Sequence, residues 1–505
     1  MRHDMTIDEI IQDCGPVLIT GDKGTAVTSI CSDSRKVTAG SVFIAVKGFA
    51  GDGHDFIAGA LQKGASAVVY EDEDALAAQV RKAFGQDTCP EQAAAREGVT
   101  FVRTGSSRHA LAIMASNFYG RPSEKLTLVG ITGTNGKTTT VTLLYHMFTG
   151  LGYSCGLLST IANYVGSKRY EAVNTTSDPI TINSLLAEMA DAGCGYCFME
   201  VSSIGVQQER ITGLKFKVGI FSNLTHDHLD YHKTFAEYLR CKKMFFDMLP
   251  PDAYAITNID DRNGMVMVQN TAAKIVTCSC RGMADHTCRI VEESFDGMQL
   301  RIDGTESWTR LTGRHNAYNI LAIYTTAIVL GTGQEEALVA ISGLDSAPGR
   351  LETIRGPRDL TAVIDYAHTP DALENVLRTL RDIAPERELI CLFGCGGDRD
   401  RTKRPEMAGV AQKFADRIIV TSDNSRTERT SDIMDDIKAG LDTRGRAKSL
   451  FIEDRAEAIR AAIMLASPGA TVLLAGKGHE TYQIIGKEKR HFDEREIVAE
   501  IFKNM

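Results

Sequence analysis

Residues 126–140 read Leu126-Thr127-Leu128-Val129-Gly130-Ile131-Thr132-Gly133-Thr134-Asn135-Gly136-Lys137-Thr138-Thr139-Thr140. An apolar run enters a glycine-rich turn that closes on a lysine and three hydroxyl residues. The pattern predicts a strand, a phosphate-cradling loop and a helix over 141–148. Glycines let backbone N–H groups approach phosphate oxygens, Lys137 supplies a point charge, and a Thr138 or Thr139 hydroxyl suits Mg²⁺. The helix aims its positive dipole end at the same anion. The spacing departs from the standard Walker loop, because Ile131 stands where its first glycine is expected. Nucleotide binding is the expectation; a structural turn of this composition is the bland alternative.

Outward from this loop, the chain has 505 residues, room for roughly three domains. It is 43% hydrophobic and 24% charged, which excludes a mostly disordered chain. A net charge of −9 argues against a nucleic-acid binder held by phosphate contacts. Twelve cysteines are scattered, and neither Cys194/Cys197 nor Cys278/Cys280 has the second half of a zinc site. A reduced, cytoplasmic protein is expected. No N-terminal apolar segment and no 18-residue apolar stretch stands out, so no membrane association is expected.

The fold class read from the pattern is α/β. Before the loop lie short β-like runs (41–46, 67–70, 99–102), one helical stretch (56–63) and a charged, alanine-rich segment (72–97) that suits a surface helix or insertion. From Leu126 strands (196–201, 218–222, 253–257, 274–277) alternate with helices (181–192, 235–249, 316–330), which predicts a largely parallel, helix-covered sheet. Residues 290–311 suit an antiparallel appendage. After the breaker cluster Ser346-Ala347-Pro348-Gly349, strands at 362–365, 389–393, 418–422, 450–452 and 471–474 alternate with helices again. This is a second, doubly wound unit, whose ligands are expected beyond the carboxyl ends of its strands.

Several side chains stand out at such strand ends. Glu200, in Met199-Glu200-Val201-Ser202-Ser203, is placed to hold a metal or to orient water; a salt-bridged strand-terminal Glu is the alternative. Residues 223–232 carry His226, His228 and His232. Their spacing raises zinc, but one histidine on Mg²⁺ is preferred beside a phosphate loop. Asn174, Thr175, Thr176, Gln208 and Arg210 suit anion or amide recognition. Lys242, on an amphipathic stretch, is taken alone a solvated lysine. The run Gly394-Cys395-Gly396-Gly397-Asp398-Arg399 lacks full dinucleotide-loop spacing. Asp423-Asn424-Ser425-Arg426, the run Gly476-Lys477-Gly478-His479-Glu480, and Arg404 form a set of paired charges that suits a ligand with both amine and carboxylate.

Together these segments resemble the Mur ligase family, the ATP-dependent amide-forming ligases of peptidoglycan synthesis. The match rests on Asp33-Ser34-Arg35, GTNGKTT at Gly133, EVSS at Glu200, DHLDYH at Asp227, GRHNAYN at Gly313, DYAHTPDAL at Asp365, GCGGDRD at Gly394, KRP at Lys403, DNSR at Asp423 and GKGHE at Gly476. It covers essentially the whole chain, and the carboxyl-terminal segments are specific to the branch that adds the third peptide residue. The resemblance implies three domains: 1–106, an N-terminal α/β uridine-nucleotide-binding domain; 107–345, a central P-loop ATPase-like parallel sheet; and 346–505, a C-terminal doubly wound Rossmann-like domain that binds the amino acid.

It also implies site residues. ATP would be held by Gly133, Thr134, Asn135, Gly136, Lys137, Thr138, Thr139, Asn316, Arg350 and His368. UDP-N-acetylmuramoyl-L-alanyl-D-glutamate would be held by Ser34, Phe49, Ala50, Gly51, Asn174, Thr175, Thr176, Ser202, Gln208 and Arg210. Mg²⁺ would be held by Thr138, Glu200, His228 and a carbamylated Lys242. The incoming meso-diaminopimelate would meet Arg404, Asp423, Asn424, Ser425, Arg426, Gly476 and Glu480. Lys137, Glu200, His228 and Lys242 are the implied catalytic set, in a monomer. The implied reaction passes the ATP γ-phosphoryl group to the D-glutamate γ-carboxylate and lets an amine displace phosphate from the acyl phosphate.

Two residues depart from the family pattern: Ser425, usually proline, and Ile204, usually histidine. Losing the proline is expected to loosen the loop and relax selectivity. A ligase adding L-lysine or another diamino acid at the same step is therefore the runner-up. A folylpolyglutamate synthetase and a non-catalytic nucleotide-binding protein are the remaining alternatives.

Overall fold

The structure is a computed structural model that describes residues 5–48, 51–225 and 229–505. It packs into two compact units. The first comprises residues 1–130, 152–219 and 248–253, and the second residues 131–151, 220–247 and 254–505.

The first unit holds a five-stranded sheet in the order Val17–Thr20, Thr100–Thr104, Ala67–Tyr70, Ser41–Ile44 and Ser29–Cys31. Only the first pair is antiparallel. Strands Ser41–Ile44 and Ala67–Tyr70 are buried at every position, as a sheet covered on both faces requires. The charged segment after residue 71 forms two helices, Glu73–Phe84 and Pro90–Glu97. Asp72 caps the first by accepting from Ala75 N–H. The unit also contains neighbouring strands Lys168–Glu171, Ala162–Val165, Cys155–Leu158, Tyr196–Glu200 and the start of Thr127–Thr132. Lys168–Glu171 is largely exposed and has no apolar face, so the sequence offered no strand signal there.

In the second unit the sheet runs from the end of Thr127–Thr132 through the end of Val218–Phe221, then Tyr254–Asn258, Lys274–Ser279, His286–Ser294, Gly297–Ile302 and Thr305–Thr309. Its last three strands form the expected antiparallel appendage. The helix after the phosphate loop spans Lys137–Gly150, starting four residues earlier than expected. Gly136, at φ +88°, turns the chain directly into it.

The carboxyl-terminal sheet has the order Glu352–Arg355, Thr361–Asp365, Thr471–Ala475, Leu389–Phe393, Arg417–Val420 and Ser449–Phe451. All pairs but the first are parallel. One face packs on Leu373, Leu377 and Met407, and the other on Ile459, Ile463 and Val498. Helices therefore cover both faces, and the doubly wound reading holds. No helix among the described residues is long and apolar enough to cross a membrane.

Candidate active site

The phosphate loop is built by side chains packed closely against its glycines. A Cβ on Gly133 (φ +155°) would lie 1.9 Å from Ser222 Oγ, and one on Gly136 would lie 2.4 Å from Asn319 Oδ1. Only glycine fits at either position. Thr134 N–H donates to the Asn223 carbonyl at 2.8 Å, and Asn135 N–H donates to Asn223 Oδ1 at 2.9 Å. Ser222 Oγ donates to the Asn135 carbonyl at 2.7 Å. These bonds fix the loop's shape without any ligand. Thr140 N–H is the first amide bonded into the helix, to the Gly136 carbonyl at 2.9 Å. The amides ahead of it stand at the helix end whose geometry suits an anion.

Lys137 Nζ donates to the Gly133 and Thr134 carbonyls at 2.8 and 2.9 Å. Lys242 is not on the solvent face of its helix, Phe235–Asp247; it is buried. Its Nζ donates to the Gly133 carbonyl at 2.8 Å and lies 4.7 Å from the centre of the Tyr238 ring. Amphipathic spacing alone pointed the wrong way for this residue. Thr138 and Thr139 are both buried at the start of the helix.

A cavity of about 640 Å³ opens at this loop, lined by Asn135, Gly136, Thr139, Asn316, Arg350 and Asp371. Asn316 has both amide atoms engaged: Nδ2 donates to the Thr312 carbonyl at 2.7 Å, and Oδ1 accepts from Asn319 at 3.0 Å. The Arg350 guanidinium lies 4.9 Å from the centre of the Tyr366 ring, and its Nε has no hydrogen-bond partner. Burial, and then Arg350, push the His315 imidazole on the cavity wall down to about 4, so it is neutral near pH 7. Burial raises the Asp365 carboxyl above its ordinary range, although Leu351 and Ala367 N–H donate to it. His368 packs on Tyr366, with Nδ1 2.9 Å from the Tyr366 carbonyl oxygen.

The loops after Arg417–Val420 and Thr471–Ala475 meet as the sequence anticipated. Asn424 Nδ2 donates to Glu480 Oε2 at 2.9 Å. Burial opposes ionisation of Asp423, yet Lys477 and Arg455 hold its carboxyl below its ordinary value. Arg426 sits at φ +50° and donates to the Gly397 carbonyl at 2.8 Å. Ser425 is buried. Gly476, at φ +114°, places Asp423 Oδ2 3.3 Å from where a Cβ would stand.

Arg404 is enclosed. Its Nη1 donates to Glu428 and Asp436, and its Nη2 to Glu428 and the Gly396 carbonyl, at 2.8–3.2 Å. It braces these loops through two carboxylates that the sequence reading did not single out. Sequence reasoning also passed over Arg455 and Glu494, both buried. Arg455 donates to Glu494 at 2.9 Å and to the carbonyls of Ser422 and Ala475, the residues just before Asp423 and Gly476. Neither lies in a motif, and only their burial marks them.

In the first unit, Glu200 is buried, and Oε1 accepts Thr160 N–H at 2.8 Å. Thr176 Oγ1 donates to the Glu200 carbonyl at 2.9 Å and accepts Ser202 N–H at 3.0 Å. Thr160 Oγ1 donates to Thr175 Oγ1 at 3.1 Å. Arg210 grips Gln208 Oε1 through Nε and Nη2 at 3.1 and 2.7 Å, and its Nη1 reaches the Thr176 carbonyl. These residues therefore form one polar cluster, while Asn174 is exposed beside it. Ser34 opens a short turn capped by Asp33. Gly51 accepts Gly48 N–H at 2.9 Å. Phe49, Ala50 and His228 lie outside the described residues. Nothing in the structure explains isoleucine at 204.

Three family matches run along the chain: the Mur ligase family catalytic domain over residues 26–119, the Mur ligase middle domain over 131–327, and the Mur ligase glutamate ligase domain over 349–478. The UDP-N-acetylmuramoyl-L-alanyl-D-glutamate–2,6-diaminopimelate ligase of Cytophaga hutchinsonii is 47% identical over 501 residues, 99% of this chain and 100% of that one. The ligase of the same name from Clostridioides difficile is 38% identical over 510 residues, with the same coverage. A solved structure of a ligase of that name superposes with a TM-score of 0.68 at 30% identity, covering 99% of both chains. Folylpolyglutamate synthase of Mycobacterium tuberculosis shares the fold over 72% of this chain and 91% of its own, at 17% identity and a TM-score of 0.57. The chain belongs to the Mur ligase family, whose members are ATP-dependent, amide-bond-forming ligases.

Proposed function

We propose that this chain joins an amine of 2,6-diaminopimelate to the γ-carboxylate of D-glutamate in UDP-N-acetylmuramoyl-L-alanyl-D-glutamate, consuming ATP and releasing ADP and phosphate, in the making of peptidoglycan precursors. The observation that carries the reading is the meeting of Asp423, Asn424 and Glu480 beyond two strand ends, with Arg426 on the same loop. Acids and an arginine together suit a ligand end that bears both ammonium and carboxylate. The full-length likeness to ligases of that name supports it.

In this reading the loop amides and Lys137 hold the ATP phosphates while the γ-phosphoryl group moves to the carboxylate oxygen. Lys137 turns from the two carbonyls it now holds toward the developing charge. Mg²⁺, when bound, adds charge to offset the transferring group; the buried Thr138 hydroxyl at the helix start and a Lys242 carbamate suit it by donor chemistry, and Glu200 and His228 are assigned to it by motif. A carbamate turns the buried Lys242 into an oxygen-bearing anion. No protein nucleophile is needed, because the amine attacks the acyl phosphate directly and phosphate leaves. Positioning and water exclusion are the protein's contribution. The polar cluster around Thr176 and Arg210 is assigned to the muramoyl dipeptide, and Ser34 with residues 49–51 to the uridine nucleotide. The protein is taken as a cytoplasmic monomer of three domains, 1–106, 107–345 and 346–505.

The test is phosphate release from ATP with the UDP-muramoyl dipeptide and meso-diaminopimelate, L-lysine or no amino acid. Turnover with diaminopimelate alone is expected, and Arg426→Ala should erase the preference. Equal turnover with lysine would favour the runner-up, for which Ser425 in place of proline is the motivating observation. ATP binding without substrate-dependent phosphate release would favour a non-catalytic protein.

A further inference from the structure

Lys477 is fully buried, and three acceptors surround its ammonium group. Nζ lies 3.0 Å from Glu480 Oε2, 3.2 Å from Asn424 Oδ1 and 3.4 Å from Asp423 Oδ1. An ammonium has three N–H donors, so all three are engaged by protein. The same three acceptor residues are the ones assigned above to the incoming amino acid. Asn424 Oδ1 also accepts Ile484 N–H at 2.9 Å, which leaves its Nδ2 facing Glu480.

We infer that Lys477 is a positioning and specificity-determining residue of the amino-acid site. It sets the side chains of Asp423, Asn424 and Glu480 and balances their charge, so that the site accepts a zwitterionic ligand end in preference to a lone ammonium. This rests on the proposed function and deepens it. With Lys477, the two carboxylates Asp423 and Glu480 stand against two cations, Lys477 and Arg426; Arg455, which also acts on Asp423, is balanced by its own partner Glu494 at 2.9 Å. The set is neutral and matches a ligand end carrying one ammonium and one carboxylate. Without Lys477 the set carries a net negative charge, which repels the ligand carboxylate and suits the bare side-chain ammonium of lysine. Lys477 does not touch the ligand itself, since its donors are already engaged. Arg455, from beneath, fixes the ends of the two strands that bring these loops together.

The experiment compares wild type with Lys477→Gln, Lys477→Met and Lys477→Arg in the phosphate-release assay, varying meso-diaminopimelate and L-lysine separately. The expected result is a tenfold or greater rise in KM for diaminopimelate in the Gln and Met variants. Their KM for ATP should be unchanged, and the diaminopimelate-to-lysine preference should fall at least tenfold. Lys477→Arg, which keeps the charge, should recover part of that preference. A purely structural role would lower turnover with both amino acids alike and leave the preference where it was, which would overturn the inference. Unchanged KM values in folded variants would overturn it too. Should Lys477→Met not fold, Lys477→Gln, which keeps an amide donor, decides. A wild-type protein without diaminopimelate-dependent turnover would instead strike the proposed function, and the inference with it.

Discussion

Asn135 Nδ2 donates to Asp371 Oδ2 at 2.7 Å, tying the phosphate loop to the first turn of the helix Pro370–Ile383. Thr225 Oγ1 reaches the same carboxylate oxygen at 3.2 Å, so two segments flanking the cavity share one anchor. A hydrogen bond to a charged group contributes about 1.5–3 kcal/mol. Asp371→Ala is therefore expected to lower the unfolding free energy by about that amount, and, by freeing the loop, to lower kcat about tenfold or more. Asp371→Asn, which keeps one acceptor oxygen, should lose less. Steady-state phosphate release measures both, and a wild-type rate in the alanine variant would show that the anchor is idle in turnover.

Lys242 carries the next prediction. A buried amine hydrogen-bonded to the Gly133 carbonyl sits against the loop assigned above to the ATP phosphates. If it works as a carbamate, Lys242→Ala should lose about 10²-fold or more in rate, in the range of a lost electrostatic group. Acetate, a small carboxylate, should restore part of that loss. Wild-type activity should fall in buffer stripped of carbon dioxide and return with bicarbonate. Indifference to both acetate and bicarbonate would mean that the amine itself is the working form.

The buried pair of Arg455 and Glu494 gives a stability prediction. Burial raises the Glu494 carboxyl above its ordinary range, against the opposing pull of Arg455 and, more weakly, Lys477. Removing one partner of a buried pair costs about 3–5 kcal/mol, because the other is left uncompensated. Arg455→Met should lower the urea midpoint accordingly. Arg455→Met with Glu494→Leu should recover much of the loss. Additive losses in the double variant would show that the two side chains act separately.

Acid sensitivity follows from Glu428. Hydrogen bonds from Arg404 hold its carboxyl at about 2, below the ordinary 4.5. A depressed folded value means the folded state binds the proton less well than the unfolded chain. This stabilisation is present above about pH 4.5 and is lost as pH falls toward 2. Wild type should lose stability over that window more steeply than Glu428→Gln, which has no carboxyl to titrate there. Parallel curves from chemical denaturation between pH 6 and 3 would refute the linkage.

Much of the fold was legible along the chain. The run 389–393 is a strand at those same bounds, because five consecutive apolar residues between polar turns leave a buried parallel strand few alternatives. The phosphate loop was legible because its glycines are demanded by positive φ and by side chains, Ser222 and Asn319, packed where a Cβ would stand. Helix ends were less so: the helix Lys137–Gly150 begins at its lysine because of one left-handed glycine, which a hydropathy pattern does not register. The strand Lys168–Glu171 escaped because it is held by backbone pairing to Ala162–Val165, not by an apolar face.

The sequence by itself determined the alternation of strands and helices, the phosphate loop, and the carboxyl-terminal loops that carry acids and arginines, because each is written in local spacing and composition. Only the tertiary structure decided what the buried charges do. Lys242, Lys477, Arg404 and Arg455 look like ordinary basic residues in the chain. Folding removes all four from water and gives each carbonyl or carboxylate partners. The physical reason is that a buried charge is stable only when distant segments converge on it with compensating groups. Those partners lie up to 109 residues away, as with Lys242 and Gly133, beyond any local pattern.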